Sequence, residues 1–327
     1  MPSPYSDVGL VVPVWYPLDA APELVDDLLA RTLEGAEQYL LSHNVVLVLD
    51  GQERWREAVQ AQAQTRGFGF HYLTSNMGKG AAIAAGIEAL DLSALRFVAI
   101  RDSDGDHLIH DLPSLMVLAL QMDEETGRDL LIASGGRCDR VRPLGFERAQ
   151  YEHLTDRALW QALQYHAARD GRALSGTYFA AHGDYPDIQS GYKVYSAAAA
   201  RMAAAILGSA SQGDGGVARY GVETLPAVVI LSLGGVIGVV ARRTYQEQPV
   251  SGFAGVDALK VYAEPLLWAF RRLQLPGDVA ATIVDDALLR SLLLFDDTRR
   301  EKALAVRDSV LRGLGCDQPL CWGPRYF

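Results

Sequence analysis

Two runs constrain the fold more than any other feature of the chain: "VGLVVPVWYP" at 8–17 and "NVVLVLDG" at 44–51. Their apolar residues are continuous rather than alternating. Strands covered on both faces read this way, as in a parallel sheet flanked by helices. Between them "PELVDDLLARTLEGAEQYLL" (22–41) carries helical apolar spacing. "FGFHYLT" (68–74) reads as a third strand, "GAAIAAGIEAL" (80–90) as a helix and "RFVAIRD" (96–102) as a fourth strand. This alternation predicts a doubly wound α/β sheet. Such sheets bind ligands at the carboxyl ends of their strands. Asp50, Asp102 and the turn holding Pro13, Trp15 and Pro17 all fall there.

The later part is less regular. Residues 146–170 read as a helix carrying Arg148, Tyr151, Trp160 and Tyr165, and "IQSGYKVYS" (188–196) as a strand before an Ala-rich helix at 197–209. "SQGDGGVARYG" (211–221) reads as a Gly-rich loop, and amphipathic helical stretches lie near 256–274 and 281–295. The uncharged segment Thr224–Ala241 has about the length of a membrane span. Pro226 and the Gly234–Gly235 pair interrupt it, so it reads as a buried helix, a turn and a buried strand.

With 327 residues, 49% of them apolar and 21% charged, the chain has the composition of a globular protein. The 30 basic and 40 acidic residues leave −10 with no Lys/Arg stripe, which argues against nucleic acid as a partner. Cys138, Cys316 and Cys321 show no metal or disulfide spacing and read as free thiols of a reducing compartment. "MPSPYSDVG" lacks the features of a signal peptide, so the expected location is cytoplasmic.

The chemistry is concentrated in "RDSDGDHL", where Asp102, Asp104 and Asp106 are spaced two apart. A calcium loop would need Gly at position 6 and Glu at position 12, where this chain has His107 and Pro113. A haloacid-dehalogenase-type phosphatase places a similar "DxDGT" after an apolar strand. Here Asp106 stands in place of the Thr, the strand is the fourth rather than the first, and Asp285–Asp286 lies in an apparent helix. A third reading is a carboxylate clamp, two acids one residue apart that hold Mg²⁺ or Mn²⁺ on a diphosphate, and a fourth is a plain solvated acidic turn. Upstream, Gly78 and Gly80 flank Lys79 just before a helix, an anion-friendly corner.

"VVPVWYP", "LVLDG", "NMGKGAAIAAGIEAL" and "FVAIRDSDGDHLIHDLPSL", followed by "DIQSGYKVYSAAAAR" (187–201) and "RYGVETL…GGVIGVV" (219–240), resemble in order the blocks of family-two glycosyltransferases of GT-A fold. Within that family they look most like polyprenyl- (dolichyl-) phosphate mannose and glucose synthases. The resemblance covers about residues 8–245. It implies a GT-A domain over 1–245, with a nucleotide-sugar half at 1–110, an acceptor half at 111–245 and a helical extension at 246–327. The implied activity is metal-dependent, inverting transfer of a hexose from a GDP- or UDP-sugar to a phosphate or hydroxyl acceptor, either a small molecule or a lipid phosphate.

The resemblance also implies roles for residues. Pro13, Trp15 and Asp50 would line the nucleoside pocket, with Lys79 and Ser103 near the nucleotide, and Asp102 and Asp104 would hold the metal–diphosphate. Gln189, Gly191, Tyr192 and Lys193 match the acceptor-side block, and Arg242 and Arg243 stand where a basic block approaches an acceptor phosphate. A hydroxyl acceptor would need a general base, for which Asp187 and Glu223 are the candidates. Arg101 departs from the pattern, replacing an apolar or small residue before the paired acids. The last seventy-odd residues match nothing in the family; their helices are expected to carry no membrane span and to offer a surface for self-association. The alternatives are the phosphatase and a non-catalytic descendant that binds a sugar nucleotide.

Overall fold

A computed structural model describes residues 3–212, 216–244 and 257–316. Seven strands form one sheet: β1 (Val8–Val14), β2 (Val45–Asp50), β3 (Gly69–Leu73), β4 (Phe97–Ile100), β5 (Leu131–Arg137), β6 (Lys193–Ser196) and β7 (Val236–Arg242). Their order is β3-β2-β1-β4-β6-β5-β7. All neighbours run parallel except β6, which is antiparallel to both β4 and β5. The chain therefore has the expected α/β, mainly parallel, doubly wound architecture.

Side-chain alternation explains the continuous apolar runs. Along β1, Leu10, Val12 and Val14 join one core while Val11 joins the other. Along β2, Leu47 and Leu49 face the first and Val46 and Val48 the second. The first core is closed by helices Pro22–Leu33, Arg56–Arg66 and Leu112–Thr126; the second by Lys79–Glu88, Phe146–Arg169, Ala197–Gln212 and Thr224–Ser232. Helix Lys79–Glu88 lies so close to the sheet that a Cβ on Gly86 would come within 2.3 Å of the Val11 side chain. The helices Glu264–Arg272, Gly277–Leu292 and Asp297–Gly313 add Leu266, Phe270, Leu288 and Val306 to the same core.

Several boundaries differ from the sequence reading. The first helix ends at Leu33, because Gly35 takes a left-handed turn (φ 73°) before a short helix at Ala36–Tyr39. Strand β5 and the helix Leu112–Thr126 have no counterpart in that reading. The 188–196 strand is reduced to Lys193–Ser196, and 188–192 is a loop. Gly216–Tyr220 forms a short helix inside the expected Gly-rich loop, whose residues 213–215 lie outside the described ones. Thr224–Ala241 divides as expected into a helix, a turn with Gly234 at φ 89° and β7. No helix among the described residues is long and apolar enough to cross a membrane. Cys138 and Cys316 are free thiols, whereas Cys321, most of the 242–255 basic block and the boundary expected at 245 lie outside the described residues.

Candidate active site

The carboxyl ends of β1, β2, β4, β5 and β7 open into one cavity of about 320 Å³. After β1 the chain turns through Pro13, Trp15 and Tyr16, all on its wall. The Tyr16 hydroxyl donates to the Ser103 carbonyl at 2.8 Å, tying this turn to the acidic loop. Asp50 ends β2 and accepts from the Met77 and Gly78 amides at 2.7 and 2.8 Å. It thereby fixes the turn that starts helix Lys79–Glu88. Burial pushes the Asp50 carboxyl up, and those two amides oppose the shift.

Lys79, in the first turn of that helix, bridges two acids: its Nζ lies 2.8 Å from Asp102 and 2.6 Å from Glu223. Burial alone would lower the ammonium pKa, but the two carboxylates outweigh it and hold it above its ordinary value. Glu223 comes from just before helix Thr224–Ser232, so the bridge joins opposite walls of the cavity.

The loop after β4 is held from several sides. The Asp102 amide donates to His107 Nδ1 at 2.9 Å, and the Asp106 amide donates to Asp104 Oδ1 at 3.0 Å. Asp106 pairs with Arg242, from the end of β7, at 3.2 Å. The His107 ring stacks on Tyr192 with centroids 5.2 Å apart, and burial followed by Arg242 keeps its pKa well below the ordinary value. Burial and the neighbouring Asp102 push the Asp104 carboxyl up to about 6. A Cβ on Gly191 would sit 2.6 Å from Asp102 Oδ2 and 3.1 Å from His107 Cε1, so a side chain there would displace the Asp102 carboxylate.

Among the described residues, no group of three or more His, Cys, Asp or Glu side chains is arranged to hold a metal ion by itself. Burial raises Asp104 most, and the neighbouring Asp102 adds a repulsion of the kind a hard divalent cation relieves. Asp102 and Asp104 are oxygen donors of the kind such a cation takes.

The far wall comes from β5, helix Phe146–Arg169 and the C-terminal segment: Arg137, Arg148, Glu152, Thr244 and Tyr262. Arg137 contacts Glu152 at 2.6 Å and Asp187 at 2.7 Å. Behind it, Arg140 pairs with Asp156 at 2.7 Å. Asp156 also accepts from the Gln189 amide at 3.1 Å, and burial, outweighing Arg140, pushes its carboxyl up to about 7.

Of the residues expected from sequence, Pro13, Trp15, Asp50, Lys79, Asp102, Ser103, Asp104, Gln189, Gly191, Glu223 and Arg242 all line this cavity. Four do not line it. Asp187 is 5% exposed and gripped by the Arg137 Nε and Nη2 groups at 2.9 and 2.7 Å and by Arg140 at 3.1 Å. Burial would raise its carboxyl, but these guanidinium groups hold it far below the usual range, as the anion of a buried ion pair. Lys193 is 2% exposed and donates to the Ile188 carbonyl at 2.9 Å and to the Ser190 carbonyl, closing the 188–192 loop. Burial lowers its pKa to about 8. Tyr192 is wholly buried beneath His107, and Arg243 is exposed away from the cavity.

Sequence reasoning missed Arg137, Glu152, Arg219 and Tyr262. Arg137 ends the strand that was not read. Arg219 lies in the expected loop, where it donates to Asn76 Oδ1 at 2.7 Å beside the Gly78 turn. Tyr262 arrives from a segment outside the recognised blocks, and no motif signals it.

No family model and no curated protein matches the chain. Among solved structures, S. aureus TarS residues 1–349 is similar at 13% identity, covering 94% of this chain and 80% of that one, with a TM-score of 0.48. The 4-diphosphocytidyl-2C-methyl-D-erythritol synthase of Anaerococcus prevotii shares 8% identity over 82% of this chain and 99% of its own, with a TM-score of 0.35. A cytidylyltransferase of Leptospira borgpetersenii also shares 8% identity, over 96% and 99% of the two chains, with a TM-score of 0.35.

Proposed function

We propose that the chain is a GT-A-type glycosyltransferase that takes a hexose from a nucleoside-diphosphate sugar, GDP- or UDP-linked, with inversion. One observation carries this reading. Asp50, Lys79, Asp102, Asp104 and Glu223 come from four separate segments and converge on one cavity at the carboxyl ends of the strands.

In this reading Pro13, Trp15 and Asp50 receive the nucleoside. Asp102 and Asp104 hold Mg²⁺ or Mn²⁺, which when bound would neutralise the departing diphosphate. Lys79 adds a fixed positive charge beside that site. The acceptor oxygen attacks the anomeric carbon, and the bond to the diphosphate oxygen breaks as the new bond forms. A phosphate acceptor arrives already ionised, its second pKa being about 6. A hydroxyl acceptor must lose a proton. Asp187 is not on the cavity wall, so of the two candidates Glu223, which lines the cavity in a pair with Lys79, is the one to take it. Gln189, Gly191 and Arg242 shape the acceptor side.

A thermal-shift screen of nucleoside diphosphates and their sugars tests the reading. A GDP- or UDP-ligand should raise Tm only with Mn²⁺ or Mg²⁺, and Asp104→Ala should abolish the metal-dependent part. Equal shifts with and without metal refute the carboxylate clamp. Metal-dependent hydrolysis of a phosphate monoester without nucleotide binding would favour the phosphatase.

A further inference from the structure

Arg101, the residue that departs from the family pattern, is wholly buried at the end of β4, directly before the paired acids. Its Nη2 donates to the His107 carbonyl, while Nε and Nη1 have no hydrogen-bond partner among the described residues. Burying a cation with so few partners is expensive unless surrounding charge compensates. Here the compensating charge comes from Asp104 and Asp102 on the acidic loop and from Asp111 in the following turn.

The loop's charges pair off accordingly. Lys79 meets Asp102 and Arg242 meets Asp106, each within 3.2 Å. Asp104 has no ion pair among the described residues; it feels the charge of Lys79, and the buried Arg101 guanidinium feels the charge of Asp104. The one side-chain hydrogen bond Arg101 makes among the described residues grips the far end of the same loop. At that end the His107 ring turns back to accept the Asp102 amide. A guanidinium at the root of the loop and an imidazole at its end thus close it into a ring from the inner side.

We propose that Arg101 is a positioning residue that holds the Asp102–His107 loop closed, with Asp102 and Asp104 turned to the cavity, before any ligand arrives. Removing it frees the His107 carbonyl and leaves three aspartates with two cations. The loop then samples open shapes, and any cation or diphosphate must bear the ordering entropy on binding. The placement of the loop stands on geometry alone; only the consequence for cation binding rests on the transferase reading.

Two measurements on Arg101→Met and Arg101→Lys test this. The first is hydrogen exchange of the metal-free full chain. In Arg101→Met, amides of the 102–108 peptide should exchange at least about tenfold faster while β1 and β2 keep their protection, and Lys should restore part of the difference. Unchanged loop protection, or a loss spread evenly over the sheet, overturns the proposal. Should the Met variant fail to fold, Arg101→Lys keeps the charge but loses the forked donor, and it must show the same local acceleration to a smaller degree. The second is Mn²⁺ titration followed by electron paramagnetic resonance, with an expected loss of roughly fivefold or more in Arg101→Met, set by the added ordering cost. Charge alone predicts the opposite, since deleting a cation strengthens Mn²⁺ binding; equal or tighter binding therefore overturns the proposal. A wild-type chain that binds no Mn²⁺ refutes the carboxylate clamp instead, and the exchange measurement still decides on Arg101.

Discussion

Replacing Lys79 with Met removes the cation shared by Asp102 and Glu223, which approach its Nζ at 2.8 and 2.6 Å. The three side chains are 30%, 26% and 16% exposed, so the cluster lies between a surface pair and a buried one. Exposed pairs contribute up to about 1 kcal/mol, and stripping one partner from a buried pair costs about 3–5 kcal/mol. Partial exposure places Lys79→Met at roughly 2–3 kcal/mol, most of it the repulsion of two carboxylates left facing each other. That origin makes a specific demand on a second substitution. Glu223→Gln keeps the shape, removes one of the two charges and relieves the repulsion. The double variant should therefore be more stable than the sum of the singles implies, with a coupling of about 1–2 kcal/mol. Urea unfolding of the four proteins at pH 7.5 measures the cycle. Additivity within about 0.5 kcal/mol would refute the shared-cation account and return Lys79 to the status of a solvated lysine. The same lysine faces the proposed diphosphate, so nucleotide affinity should drop in Lys79→Met whether or not Glu223→Gln restores stability.

Gly191→Ala places a methyl group 2.6 Å from Asp102 Oδ2, and it should weaken metal-dependent nucleotide binding while urea unfolding changes little, since the clash falls on a side chain that can swing away. Equal affinity in calorimetric titration would show that Asp102 does not hold the ligand. Asp156 holds its proton up to about pH 7 in the fold, against an ordinary value of 3.8, so the folded state binds the extra proton between those values. Stability should therefore fall as pH rises through that window, and Asp156→Asn should remove this contribution. Parallel stability curves for wild type and Asp156→Asn between pH 4 and 7.5 would refute the assignment.

The sheet was legible because burial on both faces writes itself into composition: β1, β2 and β4 carry no polar residue before Asp50 at the end of β2. Strand β5 was not legible, since "LIASGGR" places Ser134 and two glycines where an apolar run would signal it. Those small residues have a packing cause: a Cβ on Gly136 would strike Val239 at 2.3 Å, and one on Gly135 would press on Arg242 at 3.0 Å. Missing β5 meant missing Arg137, and with it the buried ion pair that holds Asp187. Motif order located Asp50, Lys79, Asp102 and Glu223, because each ends a strand or begins a helix. It could not tell Lys193 from a cavity residue, since period-two alternation is silent about which face of a short strand opens to ligand. Arg101 announced itself only as an anomaly. The loop that gives it meaning closes through a carbonyl, which side-chain identities do not reveal.

Tyr262 reaches the cavity from beyond β7, and the helices that follow it share their apolar faces with the layer under the sheet. A transplant of the seven strands and their acids alone would thus carry the electrostatics but breach one side of the vessel, letting water compete for whatever is transferred. Substitutions around Val261 and Tyr262 are correspondingly a way to reshape that wall while leaving Asp50, Lys79, Asp102 and Asp104 untouched.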